Sequence, residues 1–426
     1  MKKILSLFAL IFILAIILFA WPEKMPSYTP IRDYIDVEEQ ILEAFILAKD
    51  SSTIQLPEGH FLFSKSLSLD GKKHVRIKGM GMNKTILSFK GQTQGAEGIK
   101  ITNSEHIIIE DLAVEDAAGD NIKVSDTDTI TFRNIRSAWT GRVSTNNGAY
   151  AIYPVLSTHV LIEGCEAIGS SDAGIYVGQS QHVIIRNNKA YFNVAGIESE
   201  NSSYVEIYGN EAYKNTSGLL IFNLPELTVY GHHIRAYQNT IYDNNIPNFG
   251  VKGSIVSAVP KGTGVVIMAS QNVEFINNVV KDHKTSNLSV VSYKVFAADQ
   301  DPESNALSEA AQAQGLRGVQ ADFENDVEYN AFPGNVTVSN NQFSNRFYFP
   351  TLSNDFGKLW YFKNSMRIPD IAYDGILPKG TELQAPSVKI CIQNNENAQF
   401  VFLDAANDFE SFSNDSTPFN CSVSDE

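Results

Sequence analysis

Residues 172–193 read DAGIYVGQSQHVIIRNNKAYFN, and the next 22 residues read VAGIESENSSYVEIYGNEAYKN. Set one over the other without a gap, the two stretches agree at ten positions, among them Gly174 with Gly196 and Asn188 with Asn210. A period in the twenties is the mark of a solenoid. One unit cannot bury its own apolar face and must stack on a copy of itself.

The frame extends outward through HVRI (residues 74–77), HIII, TITF, HVLI, HVII, YVEI, NVEF and NVTV. From HIII to YVEI successive copies lie 22 or 23 residues apart, except where the loop 141–148 intervenes. Extra residues also stand before His232, at 246–262 and in a long excursion at 292–334. Within a unit the apolar residues alternate, as in Ile175 and Val177 and then Val183 and Ile185, which predicts short strands separated by Gly and Asn turns. One such unit per coil predicts an all-β fold, a right-handed parallel β-helix in which like residues stack in columns about 4.8 Å apart. One inward column is Ile99, Ile122, Ile152, Ile175, Ile197 and Leu219. A second is Leu112, Ile135, Cys165, Asn188, Asn210 and, further on, Asn278 and Asn341. Stacked Asn at a turn satisfy buried backbone groups and one another.

A solenoid needs covered ends. The apolar spacing within 37–50 predicts an N-terminal capping helix. The β-helix itself is expected over 34–345, with 346–426 as a C-terminal covering segment and a helix-like stretch, 302–316, inside the excursion. Residues 1–21 give two lysines and then an unbroken apolar run, which reads as a cleaved signal peptide or a retained membrane anchor. Either way the body is exported, to the periplasm or beyond, and touches a membrane only through that segment if it is uncleaved. Of the three cysteines, Cys391 and Cys421 suit a disulfide in an oxidising compartment. Cys165 falls in an inward column and reads as a small buried hydrophobe. A formal charge of −15 with no Lys/Arg cluster argues against nucleic-acid binding.

Several stretches carry a resemblance: LPEGHFLFSKSLSLDGKKHVRIKGMGMNKTILSF, EDLAVEDAAGDNIKV, NGAYAIYPV, SSDAGIYVGQSQ, YDNNIPNF and the tail ICIQNN…FNCS. Together they resemble a group of exported bacterial right-handed parallel β-helix repeat proteins. The resemblance implies the fold and export but no reaction. At the level of fold alone the repeats are also similar to carbohydrate-acting β-helix proteins.

The candidate chemistry lies on positions that alternate with the inward isoleucines. One outward column holds Lys100, Lys123, Tyr153, Tyr176 and Glu198, and another ends in Glu200. Four rung steps set this row over roughly 19 Å, the length of several sugar units. Lys123, Tyr153, Tyr176, Glu198 and Glu200 are therefore the candidate acid–base residues of an exposed lateral face. The bland alternative is a solvated strand face. The loop 139–148 interrupts the rungs beside Tyr150 and Tyr153. Trp139 would stack on a sugar and Arg142 would grip a carboxylate, with Tyr150, Tyr153 and Tyr176 completing a ligand-binding surface. A loop that merely packs on the sheet is the alternative. His74, His106, His159 and His182 each precede the central apolar pair, but no third ligand column accompanies them, so neither metal nor other cofactor is expected. The functional expectation is binding of an extended polysaccharide or envelope ligand. The alternative is a lyase or epimerase acting on uronic-acid polymers.

Overall fold

The computed structural model describes residues 24–297, 307–308, 312, 316–320 and 322–421. The apolar run 1–21 and most of the helix-like stretch 302–316 lie outside the described residues. No helix among the described residues is long and apolar enough to cross a membrane.

Three strands make each turn of the coil. Among the described residues the first sheet has eleven strands, from Lys65–Asp70 to Phe400–Phe402, all parallel to their neighbours. The second sheet is built from strands such as Thr158–Glu163, Gln181–Arg186 and Ser203–Tyr208. The third is built from three-residue strands such as Glu166–Ile168, Lys189–Tyr191 and Glu211–Tyr213. In two early turns a single eleven-residue strand, Glu105–Glu115 or Asp128–Ala138, bends to serve both the second and third sheets. The chain is a right-handed parallel β-helix, as the 22-residue repeat predicts.

Strand register confirms the inward isoleucine column. Ile99, Ile122, Ile152, Ile175, Ile197 and Leu219 are successive Cα partners, and Val265, Leu288, Ile371 and Phe400 extend the line. Nearly all are solvent-free, so each contributes about 1.5–3 kcal/mol through burial. Between the second and third sheets the chain turns through one left-handed residue per coil, among them Asn134, Asn187, Gln238, Asn277 and Asn340. Gly209 takes this corner where space is tightest, since a Cβ there would meet the Asn187 side chain at 2.5 Å. Short polar side chains and Gly tolerate that conformation, which explains the Asn-rich spacing.

The next residue in each coil forms a ladder. The Oδ1 atoms of Asn188, Asn210, Asn239, Asn278, Asn341 and Asn395 each accept the backbone N–H one turn earlier, at 2.8–3.0 Å. Asn239 and Asn395 are members that the repeat frame passed over. A second ladder, Asn193, Asn215 and Asn244, runs past the third sheet and ends on His283, whose Nε2 lies 3.1 Å from the Asn244 amide. The free thiol of Cys165 lies where the first ladder begins. It is buried, and burial pushes it up to about 12, so it is a packing atom and not a nucleophile.

The ends differ from expectation in extent. Helix Glu38–Ile46 caps the N-terminal end with Ile41 and Phe45 buried on the core. The coil does not stop at residue 345. Ile371–Tyr373, Ile390–Gln393 and Phe400–Phe402 continue the first and second sheets. Their repeat is hidden because the helix Asp355–Lys363 and long loops separate the strands. Phe419 then closes the end against Tyr373, Phe400 and Phe402, with Cys391 and Cys421 joined in a disulfide.

Candidate functional site

From Tyr153 to Glu200 the outer face of the first sheet is not open to solvent, and the expectation of an exposed lateral face there is corrected here. Tyr150, Tyr153, Tyr176, Glu198 and Glu200 are all at most 6% exposed. The reason is the insertions. Residues 246–259 and the described part of the excursion fold back over this face and form a second apolar cluster with Tyr153, Tyr176, Leu220, Phe222, Val266 and Met268. The cover is tied down by polar contacts. Tyr329 donates to the Asn223 carbonyl at 2.8 Å, the Ile255 amide donates to the Arg317 carbonyl at 2.8 Å, and Tyr230 bonds Asp326.

Beneath the cover the three tyrosines form one aromatic group. Ring centroids lie 4.5 Å apart for Tyr150–Tyr153 and Tyr150–Tyr176, and 4.8 Å for Tyr153–Tyr176. Tyr176 Oη donates to Glu200 Oε1 at 2.9 Å. Lys123 lies over the Tyr153 ring, 4.8 Å from its centroid, with its ammonium 3.9 Å from Asp120. The Tyr150 amide donates to Asp120 Oδ1 at 3.2 Å. Asp120 and Asp172, both buried, thus join Glu198 and Glu200 as a four-acid cluster that the outward columns did not reveal. They sit in the turns entering the first sheet, ahead of the alternating strand residues; the single aspartate in each of DNIKV and SSDAG was the available signal.

Burial dominates the electrostatics. It pushes Asp120 up to about 7 against the opposing pull of Lys123, and Glu200 up to about 7 against its Tyr176 hydrogen bond and Arg317. Asp172 and Glu198 are driven well above the usual carboxylate range by burial and then by neighbouring acids, Glu200 and Asp120 acting on Asp172, and Asp172 and Glu200 acting on Glu198. Asp172 Oδ1 and Glu198 Oε1 are buried with no hydrogen-bond partner among the described residues. Such a set holds carboxylic acids protonated near neutrality beside a carboxylate poised to ionise, which is the pairing that general acid–base chemistry needs.

The remaining candidates scatter. Lys100 is at the edge, paired with Glu97 at 3.6 Å. Trp139 is buried, donating from its indole to the Ala117 carbonyl at 3.0 Å, so it packs on the coil and cannot stack on a sugar. Arg142, expected to grip a ligand carboxylate, is exposed and pairs through its backbone with Ser27 in a short antiparallel bridge. The histidines stack in exposed pairs, His74 on His106 at 4.6 Å and His159 on His182 at 5.3 Å. Among the described residues no group of three or more His, Cys, Asp or Glu is arranged to hold a metal ion.

Residues 140–299 match the family model described as a right-handed beta helix region. A comparison with curated proteins gives no match. Among solved structures, the A-module of the mannuronan C-5 epimerase AlgE6 of Azotobacter vinelandii is similar at TM-score 0.50 and 14% identity, covering 85% of this chain and 90% of that one. The AlgE4 A-module from the same organism follows at TM-score 0.49 and 12% identity, covering 87% and 93%. DFA-IIIase from Arthrobacter chlorophenolicus A6 gives TM-score 0.47 and 10% identity over 91% and 94%. At 14% identity the likeness to the AlgE6 module is one of fold alone, and the strand register, the ladders and the family match over residues 140–299 carry the conclusion: this chain is a right-handed parallel β-helix protein.

Proposed function

We propose that the protein is an exported enzyme that works on the glycosidic linkages of a polysaccharide through Asp172, Glu198 and Glu200, with Tyr176 positioning Glu200. One observation carries the reading. In the same two outward columns, the next turns hold Leu220 and Val266 in place of Glu198, and Phe222 and Met268 in place of Glu200. The cover accepts apolar residues there at no desolvation cost, yet this turn carries Glu198 and Glu200, and Glu198 and Asp172 of the preceding turn each hold a buried oxygen with no hydrogen-bond partner among the described residues. Buried acids without cations to balance them are expensive, and they persist where chemistry needs them.

A protonated member would give its proton to the leaving oxygen while an ionised one activates water or attacks. The cations acting on the cluster are Lys123 on Asp120 and Arg317 on Glu200. The site is water-poor enough to hold its own acids protonated, and a uronate would bring one more carboxylate into it, which favours an uncharged sugar. Access requires the cover to part from the first sheet. Export is supported by the N-terminal apolar run and by the Cys391–Cys421 disulfide, a bond kept in oxidising compartments.

The test is incubation of the purified protein with neutral polysaccharides and with polyuronates, following new reducing ends and ultraviolet absorbance of unsaturated ends. Release of reducing ends from a neutral glycan, lowered about 10²–10⁴-fold in Glu198→Gln and Glu200→Gln, is the expected result. Unsaturated ends from polyuronate would favour a lyase. Turnover unchanged in both variants would sink the reading.

A further inference from the structure

A long groove outside the acid cluster has no acid of that cluster in its lining. It lies on the outer face of the second sheet, has a volume of about 1310 Å³, and runs from His159 to Gln393. The strands beneath it, from Thr158–Glu163 through Ile390–Gln393, are joined by six successive pairings. At about 4.8 Å per step the groove is roughly 29 Å long.

One edge of the groove is a row of rings. His159, His182, Tyr204 and His233 stack at 5.3, 5.1 and 5.4 Å with interplanar angles of 10°, 8° and 25°. Because neighbours occupy the ring faces, the row offers edges: imidazole nitrogens, which donate or accept, and a phenol hydroxyl. The backbone of every residue in the row is left-handed, with φ of 53°, 55°, 56° and 57°. Asn272 and Asn335 occupy the same column further on, at φ 56° and 50°, and are the kind of residue that conformation prefers. Rings here, Tyr204 above all, carry backbone strain of the order of 1 kcal/mol each. They are exposed, so burial does not offset it. Strain retained at an exposed row points to a ligand and not to folding.

The floor of the groove selects the ligand's charge. Arg235 is held by Glu274 at 2.7 Å and Glu206 at 3.8 Å, so its charge is already balanced with one acid in excess. Leu161 and Ile184, half-buried, lie beside the rings and supply apolar surface. The ensemble suits a long chain that is rich in hydroxyls and carries no charge. We propose that this groove is a second, non-catalytic site that binds an extended neutral polysaccharide, separate from the acid cluster on the first sheet.

Affinity electrophoresis of the full chain in gels containing arabinoxylan, xyloglucan, dextran, polygalacturonate or alginate tests this. The variant His182→Asn/Tyr204→Asn removes two rings while keeping residues that suit the left-handed backbone, so its melting temperature should equal or exceed the parent's. At least one neutral glycan should retard the parent, and the double variant should lose that retardation by tenfold or more in apparent Kd. Glu198→Gln should retain it, which separates this site from the proposed catalytic one even if no turnover is found. Retardation by polyuronates alone, retardation by none of the five, or undiminished binding by the double variant would each overturn the proposal.

Discussion

Asn210 shows how much one side chain does in a stacked coil. Its Oδ1 accepts from the Asn188 amide and side chain, and its Nδ2 donates to the Ile185 carbonyl and to Asn239. Asn210→Ala would leave these buried partners unpaired, each worth about 1–3 kcal/mol. The expected loss is several kcal/mol by urea titration, and a loss below about 1 kcal/mol would show that water fills the ladder. The neighbouring pair Ile175 and Tyr176 separates the two cores. Ile175→Asp puts an unpaired charge into the aliphatic column and should yield no folded protein. Tyr176→Phe removes only the bond to Glu200 and should fold, with a cost of about 1 kcal/mol and a Glu200 that holds its proton to still higher pH. Tyr176→Asp, by contrast, would add a fifth acid beneath the cover and should not fold at neutral pH.

At the scale of elements, the first sheet and its cover act as a pH-sensitive unit. Glu200 and Asp120 keep protons in the folded state, up to about 7, that the unfolded chain releases near its ordinary carboxylate values. Their contribution is therefore full below the unfolded values and is lost as pH rises through about 7. For Glu200 alone the change amounts to about 3 kcal/mol. Glu200→Gln should accordingly gain stability relative to the parent as pH goes from 4 to 8, measured by denaturant midpoints. A constant difference across that range would mean the acid ionises freely and the cover does not desolvate it. At the C-terminal end, reducing the Cys391–Cys421 disulfide opens a loop of 30 residues and should cost about 3–4 kcal/mol on a chain-entropy estimate. Hydrogen exchange should then rise first in Ile390–Gln393 and Phe400–Phe402, and uniform exchange along the coil would contradict that local role.

At the scale of the whole molecule, stability is a sum over turns and their interfaces. Deleting residues 194–215, one complete turn, would set Ile175 on Leu219 and Asn188 on Asn239, so like still stacks on like. That variant should keep the parent's β-type circular dichroism with a lowered melting temperature, while deletion of 194–204, half a turn, should not fold. Equal behaviour of the two deletions would refute a register fixed by columns. The coil was legible in the sequence, because period, inward column and Asn corner are local and repeat at short range: Ile175 finds Ile197 wherever the chain winds once in 22 residues. What lies over the coil was not legible. The insertions 246–262 and 292–334 carry no repeat, and whether they extend into solvent or fold back on Tyr153 and Glu198 depends on contacts between residues far apart in the chain. Alternation marks a residue as pointing out of the first core, and only the tertiary structure decides whether out means water or a second core. That decision turned an open tyrosine face into a buried acid cluster, and left the second sheet, with its stacked rings, as the open one.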